Sequence, residues 1–170
     1  MKLRTAALLA PVFALAALAA PTEAHAQFRA SAQLGIEHLS RDGGSTTMFQ
    51  SRAEFALRVA PSFEVGAYAQ HLYNTDRQSH ENGWGLGAIA TLRPMSDATF
   101  GPLAFGSLGY QRAPDASVFR DGLFLVLGGG LAWRPVSVLD VELRGSFVGL
   151  VGGERELTGF NAGIALSVHP

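Results

Sequence analysis

The sequence predicts an all-β fold, an eight-stranded antiparallel up-and-down barrel that crosses a membrane with its strands. Segments of about ten residues alternate apolar and polar side chains, as strands do, because successive side chains leave a strand on opposite faces. Pro61, Pro94, Pro135 and Pro170 lie 33, 41 and 35 residues apart. Each interval holds two membrane-crossing strands of about ten residues and one longer loop. Charges of both signs occupy one face of the strands, and the middle spans of the other face carry none.

The N-terminal segment has the features of a secretory signal peptide. Lys2 and Arg4 precede an apolar run that ends in a small-residue cleavage pattern, Ala-His-Ala at 24–26. The run is short for a membrane anchor and ends in a cleavage-like site, so a signal peptide is favoured. We predict that residues 1–26 are cleaved and that residues 27–170 form one domain.

The composition excludes several classes of function. The chain has no cysteine, which rules out disulfides, thiolate metal sites and a lipoprotein anchor. Residues 27–170 contain 11 basic and 13 acidic residues, a balance that does not suggest a nucleic-acid partner. Every basic residue in that range is an arginine, whose planar fork suits fixed pairing with carboxylates.

The hairpin Leu123–Phe147 shows the alternation most clearly, with its turn at 134–137 (Arg-Pro-Val-Ser). Proline fits a turn because it cannot donate a hydrogen bond to a strand ladder. The same alternation predicts the other strands: Phe28–Leu39, Phe49–Val59, Phe63–Gln70, Trp84–Arg93, Phe100–Gln111 and Phe160–Val168. The longer polar connections are expected at 40–47, 74–82, 112–121 and 151–157. In Phe100–Gln111 both faces are partly apolar, and we expect Ala104, Leu108 and Tyr110 to face outward.

The polar faces together carry six positive and five negative side chains: Arg29, Glu37, Arg52, Glu54, Arg58, Glu64, Arg93, Arg134, Asp140, Glu142 and Arg144. The interior of an eight-stranded barrel is only wide enough for side chains to fill it. Buried ion pairs are expensive unless they are matched, and these charges are nearly balanced. We therefore predict a lumen charge network that fills the barrel and leaves no large pore.

Aromatic residues lie near the strand ends on the apolar faces: Phe28, Phe63 and Trp133 toward the short turns, and Phe49, Trp84, Tyr110, Phe147 and Phe160 toward the longer loops. Two aromatic girdles around an apolar exterior are typical of a transmembrane barrel. A soluble barrel would bury the apolar faces and expose the charged ones. The charge balance and the segregation of turns from loops favour the membrane barrel.

The chain resembles the small outer-membrane β-barrels of the OmpX and OmpA-domain type, which are porin-type proteins of Gram-negative envelopes. The resemblance rests on the leader, on the segments Gly101–Tyr110 and Leu127–Pro135, and on the last strand. The last strand carries four residues that fit the family's recognition pattern for barrel assembly: Asn161, Gly163, Leu166 and Val168. The family usually ends on an aromatic residue, whereas this chain ends on Pro170.

The resemblance implies an outer-membrane location, with outer-membrane lipids and the barrel-assembly machinery as partners. It also implies a periplasmic N-terminus, so that the proline turns face the periplasm and the loops face outward. We predict a non-enzymatic protein of the cell envelope with a structural or surface-interaction role and no cofactor. Any specific role would lie in the loops, which carry function on such scaffolds.

Two other functions stay open at this point. His38-Leu39-Ser40 resembles the His-x-Ser of outer-membrane lipid A deacylases, and a serine beside a histidine base is the chemistry of ester cleavage. A short motif recurs easily by chance, and no acid partner can be assigned to it. The second alternative is a soluble periplasmic barrel that binds a ligand.

Overall fold

The computed structural model describes residues 28–41, 44–74, 82–112, 121–151 and 157–169. The predicted leader, 1–26, lies outside the described residues. The described chain forms eight strands: β1 (Phe28–Arg41), β2 (Gly44–Ala60), β3 (Phe63–Asn74), β4 (Asn82–Leu92), β5 (Phe100–Arg112), β6 (Gly122–Val136), β7 (Leu139–Val151) and β8 (Thr158–Val168). Every strand pairs antiparallel with its neighbours in sequence, and β8 pairs with β1 to close the barrel. The predicted architecture is confirmed.

The longer connections are shorter than predicted. The first was expected at 40–47, but β1 continues to Arg41 and β2 begins at Gly44, and these two residues are paired. The hydrogen bonds of an antiparallel strand pair are made by the backbone and do not depend on the side chains. A polar sequence can therefore extend a hairpin beyond the apolar part of its strands. The remaining connections at this end, which we call the loop end, span 75–81, 113–121 and 152–157.

The opposite end of the barrel, here the turn end, holds the short connections at 61–62, 93–99 and 137–138. The turn predicted at 134–137 is misplaced, because Pro135 lies inside β6. The β6–β7 register shifts between Trp133 and Val136. A bulge interrupts the ladder and removes the need for a donor there, which lets a strand contain proline.

Buried and exposed residues alternate along the strands, so successive side chains point into the barrel and out of it in turn. In β5, Ala104, Leu108 and Tyr110 are exposed while Leu103 and Phe105 are buried, as predicted. The described residues expose thirty large apolar or aromatic side chains. An exterior this apolar suits lipid, because soluble proteins rarely expose contiguous apolar patches beyond a few hundred Å². In the described part of the chain, no helix is long and apolar enough to span a membrane.

The interior is not uniformly polar, and its apolar part extends beyond the two β5 side chains that parity places inward. Leu103 and Phe105 on β5 and Phe124 and Val126 on β6 belong to a buried apolar cluster. The cluster continues at the loop end with Leu39, Met48, Leu72, Val148 and Leu157. Apart from Glu37, which pairs with Met48, charged side chains therefore occupy the turn-end part of the lumen. Apolar side chains fill the β5–β6 wall and the loop end.

Candidate functional site

The candidate functional site is the lumen, where the barrel collects the charged side chains of its polar faces. All eleven residues of the predicted lumen charge network point inward. Nine of them are at most 4% exposed, and Arg58 and Arg134 are partly exposed. Burying so many charges is tolerable only where each meets an opposite charge or hydrogen-bonding partners.

Two carboxylates, Glu54 on β2 and Glu142 on β7, share Arg144 in the middle of the network. The Arg144 guanidinium lies 2.7 Å from a carboxylate oxygen of each. Glu142 also accepts from Arg93 Nη2 at 2.6 Å and from Ser167 Oγ at 2.6 Å. Arg144 therefore links β2 to β7 across the lumen.

Two further carboxylates, Glu64 and Asp140, organise the turn end. Glu64 Oε2 lies 2.7 Å from Arg29 Nε and 3.4 Å from Arg93 Nε. Asp140 accepts from Arg134 through both of its oxygens, at 2.7 and 3.2 Å. Such two-pronged pairs are among the stronger charge-assisted contacts. Arg93 Nη1 lies 3.3 Å from Asp140 Oδ2, so one arginine joins the two carboxylates.

Glu37 lies apart from this network. Its carboxylate accepts from Gln50 Nε2 at 3.2 Å and from Gln111 Nε2 at 3.0 Å. Among the described residues, no arginine or histidine lies within 4.0 Å of it. Gln70 connects to both glutamines, so Glu37 belongs to a layer of side-chain amides. The amide layer was not predicted, although its residues share the inward parity of the charges.

Arg52 is held by an aromatic ring as well as by a carboxylate. Its guanidinium carbon lies 3.8 Å from the centre of the Tyr68 ring. Its Nε is 2.9 Å from Glu54 Oε1. The ring face attracts a cation when both are removed from water. Sequence parity is enough to place Tyr68 in the lumen. It does not show that the ring contacts Arg52.

The aromatic residues lie on the exterior with one exception. Seven of the eight are 38–79% exposed: Phe49, Phe63, Trp84, Tyr110, Trp133, Phe147 and Phe160. Phe28 has outward parity, opposite Leu57, but is only 8% exposed because its ring stacks on Phe55 at 5.5 Å. Its predicted place in a lipid-facing girdle is therefore wrong. Phe55, Tyr73 and Phe100 are exposed aromatic residues that the prediction omitted.

Solved structures share this fold. No protein-family model matches the sequence, and no curated protein matches it. Neisserial surface protein A is 14% identical, with a TM-score of 0.70 over 83% of this chain and 96% of that one. The N-terminal β-barrel domain of OprF from Pseudomonas aeruginosa is 11% identical, with a TM-score of 0.51 over 81% of this chain and 96% of that one.

The chain has the fold of the small outer-membrane β-barrels. At these identities the likeness concerns the fold, and the exposed apolar surface of this chain agrees with it independently. In a closed barrel every strand is hydrogen-bonded to a neighbour along both of its edges. A barrel in a membrane requires this, because lipid offers no partners to backbone N–H and C=O groups. The described chain is thus a closed barrel with the fold of the small outer-membrane β-barrels, and its lumen is filled by charged, polar and apolar side chains.

The residues of the proposed assembly pattern lie on β8. Leu166 and Val168 are exposed on the exterior, while Asn161 is buried and donates to Gln50. Gly163 lies where an added Cβ would come within 2.6 Å of the Leu34 carbonyl oxygen. Glycine at that position therefore has a packing role in the β8–β1 seam, and its role in assembly stays a prediction.

The two residues of the deacylase-like motif lie at the loop end of β1. His38 Nδ1 is 2.9 Å from Thr47 Oγ1, and its ring packs against Phe160 at 5.3 Å. Ser40 is exposed and pairs along the backbone with Ser45 and Thr158. One ring nitrogen of His38, Nδ1, is thus in contact with a threonine of the neighbouring strand. In the described ranges, no group of three or more His, Asp or Glu side chains could hold a metal ion.

Proposed function

We propose that this protein is a non-enzymatic structural component of the outer membrane. The observation that carries the proposal is the ion-pair network. It ties β1, β2, β3, β6 and β7 together through four carboxylates and four arginines, Arg29, Arg93, Arg134 and Arg144. Cross-links of this kind favour a rigid, filled barrel over a conducting one. The partners of such a barrel are outer-membrane lipids and, during biogenesis, the assembly machinery.

The extent of the loops supports the same proposal. The longest connection at the loop end is 113–121, and the first connection consists of only 42–43. Short connections offer little surface for an elaborate adhesin, so surface binding would be a modest additional role. The His38 contact with Thr47 offers no support for ester cleavage.

A complementation experiment tests the proposal. In the host bacterium, deletion of the protein should raise outer-membrane permeability to a large hydrophilic antibiotic. The native chain should restore the barrier. A variant with 75–81 and 113–121 replaced by glycine and serine of equal length should restore it equally. Ser40→Ala should also restore it.

The outcomes separate the alternatives. If the loop-replaced variant folds but does not restore the barrier, a surface-binding role replaces the structural one. Folding is checked by gel mobility in SDS, since a folded barrel should shift its band only on heating. A loss confined to Ser40→Ala, with an esterase activity in the native protein, would instead establish an enzyme.

A further inference from the structure

The exterior of the barrel has a recess near the loop end, where β6, β7 and β8 lie side by side. Its volume is about 320 Å³, and we call it the outer cavity. Leu125 and Leu127 of β6 and Phe147 and Val151 of β7 line it. Gly149 lies between the two β7 side chains, and a Cβ there would meet nothing within 4 Å. The recess therefore exists because a glycine occupies an outward position whose neighbours carry large side chains.

The strand register shows what lies beside the outer cavity. Gly149 pairs with Leu125 on one side and with Thr158 on the other. Thr158 pairs with Ser40 of β1, and Ser40 pairs with Ser45 of β2. Directly paired residues of antiparallel strands share a face, so these side chains lie at one level of the exterior. The cavity therefore leads into three exposed hydroxyl side chains, here the hydroxyl row, Thr158, Ser40 and Ser45.

A ridge of ring side chains borders the outer cavity and the hydroxyl row on the side of the barrel's middle. Phe147 is 79% exposed and pairs with Phe160. Phe160 pairs with His38, and the two rings are 5.3 Å apart. In a membrane barrel, aromatic residues mark the border between the apolar exterior and the interface. The hydroxyl row therefore lies at the loop-end border of the apolar surface.

The outer cavity and the hydroxyl row together have the polarity of an amphiphile. The side chains that line the cavity are apolar except for Thr158, which lies where the cavity meets the row. The row itself has hydroxyl groups and no charged group. A volume of about 320 Å³ is at the lower end of the roughly 300–1,000 Å³ found for small-molecule sites. The cavity is also continuous with the exposed apolar exterior, which includes Leu127 and Phe147.

We propose that the outer cavity holds one acyl chain of a membrane lipid and that the polar head of this lipid hydrogen-bonds to the hydroxyl row. The proposal rests on the outer-membrane role proposed above, because that membrane supplies the lipid. A second copy of the chain fits less well. Its apolar exterior would cover the hydroxyl group of Thr158 without offering a hydrogen-bonding partner, which is unfavourable.

Native mass spectrometry of the refolded full chain, released from detergent micelles, tests the site. The probes are palmitoyl lysophosphatidylethanolamine, which has one acyl chain and a polar head, and methyl palmitate, which has the chain without that head. The native chain should retain one lysophospholipid per barrel in a saturable manner. It should retain methyl palmitate more weakly, because only the chain is then bound.

Matched substitutions locate the bound lipid. Gly149→Leu fills the cavity and should weaken retention by about tenfold or more, since a few methylenes of the chain lose their apolar contact. Gly145→Leu is the control. It lies on the same face of β7 but outside the cavity, and the nearest atom to a Cβ there is 3.9 Å away, so retention should not change. Ser40→Ala combined with Ser45→Ala should weaken retention of the lysophospholipid by roughly three- to tenfold, the range for one lost hydrogen bond.

Four results would overturn the proposal: no saturable retention by the native chain, equal loss in Gly149→Leu and Gly145→Leu, an unchanged double serine variant, or a dimer that Gly149→Leu abolishes. The last would identify a second copy as the occupant. Folding of each variant is checked by its heat-dependent band shift in SDS. If Gly149→Leu does not fold, Phe147→Ala decides, because it removes an exposed wall of the cavity and should also weaken retention. Failure here with a restored permeability barrier would leave the structural role in place.

Discussion

At the scale of single residues, the lumen holds two glutamates in opposite surroundings. Glu142 meets Arg93, Arg144 and Ser167 within 2.7 Å. Glu37 meets only side-chain amides at 3.0 and 3.2 Å among the described residues. The two are equally buried, so a comparison between them separates the effect of ion pairing from the effect of burial.

Glu142→Gln should destabilise the barrel strongly, by about 3–5 kcal/mol, because it leaves buried guanidinium groups without their counter-charge. Glu37→Gln should cost no more than about 1–2 kcal/mol, since it removes a buried charge and disturbs only amide hydrogen bonds. The measurement is the free energy of unfolding in urea. Asp121→Asn, in an exposed pair with Arg112 at 4.0 Å, is the surface control and should be near neutral. Equal losses at positions 37 and 142 would contradict the assignment of Glu142 as a centre of the network.

Sequence parity placed the eleven lumen charges inward but did not identify their partners. Arg144 meets Glu54, which lies 90 positions away, and this contact depends on strand tilt and on the width of the closed barrel. The separation of Glu37 from the arginines has the same origin. Phe28 shows a further limit, because parity gives the direction of a side chain but not the neighbour it rests on.

At the scale of strands, small residues allow neighbouring backbones and lumen side chains to approach closely. A Cβ at Gly87 on β4 would strike the Leu108 carbonyl oxygen and Gly109 Cα on β5, and it would lie 2.9 Å from Tyr68 Cε1. A Cβ at Gly149 on β7 would meet nothing within 4 Å. Glycine is therefore required for packing at one position and not at the other.

Gly87→Ala should lower the free energy of unfolding by about 1–3 kcal/mol, because the new methyl group meets backbone atoms that cannot move aside. Gly149→Ala should be neutral or stabilising by up to about 1 kcal/mol, since alanine reduces the freedom of the unfolded chain. Urea unfolding of both variants gives the comparison. If Gly87→Ala proved neutral, the β4–β5 packing described here would be incorrect.

Strand number and order followed from the sequence, whereas strand ends did not. The first hairpin runs to Arg41 and Gly44 because its polar residues pair as well as apolar ones do. β6 runs through Pro135 because the bulge at Trp133 removes the need for a donor. Both errors arise where backbone hydrogen bonding departs from the side-chain pattern that the prediction used.

At the scale of the whole molecule, the exterior of a membrane barrel is apolar and meets lipid, whereas the exterior of a soluble barrel is polar and meets water. Leu143 on β7 is 60% exposed and lies between the two ends of the exterior, opposite Leu131 and Ile164. Val151 is also exposed, at the loop-end limit of the same strand. The two side chains are comparable in exposure and differ mainly in their depth along the barrel.

Leu143→Arg should destabilise the barrel in lipid bilayers by about 2–4 kcal/mol, because it places a charge on the lipid face near mid-depth. Val151→Arg should cost only about 0–1 kcal/mol, since an arginine near the interface reaches water. The measurement is reversible unfolding of the barrel in vesicles, with the native chain as reference. A barrel that exposed this face to water would tolerate both substitutions equally, because an exposed arginine in solvent carries no desolvation cost. The difference between the two variants therefore measures directly whether the apolar exterior lies in lipid, which no property of the lumen can establish.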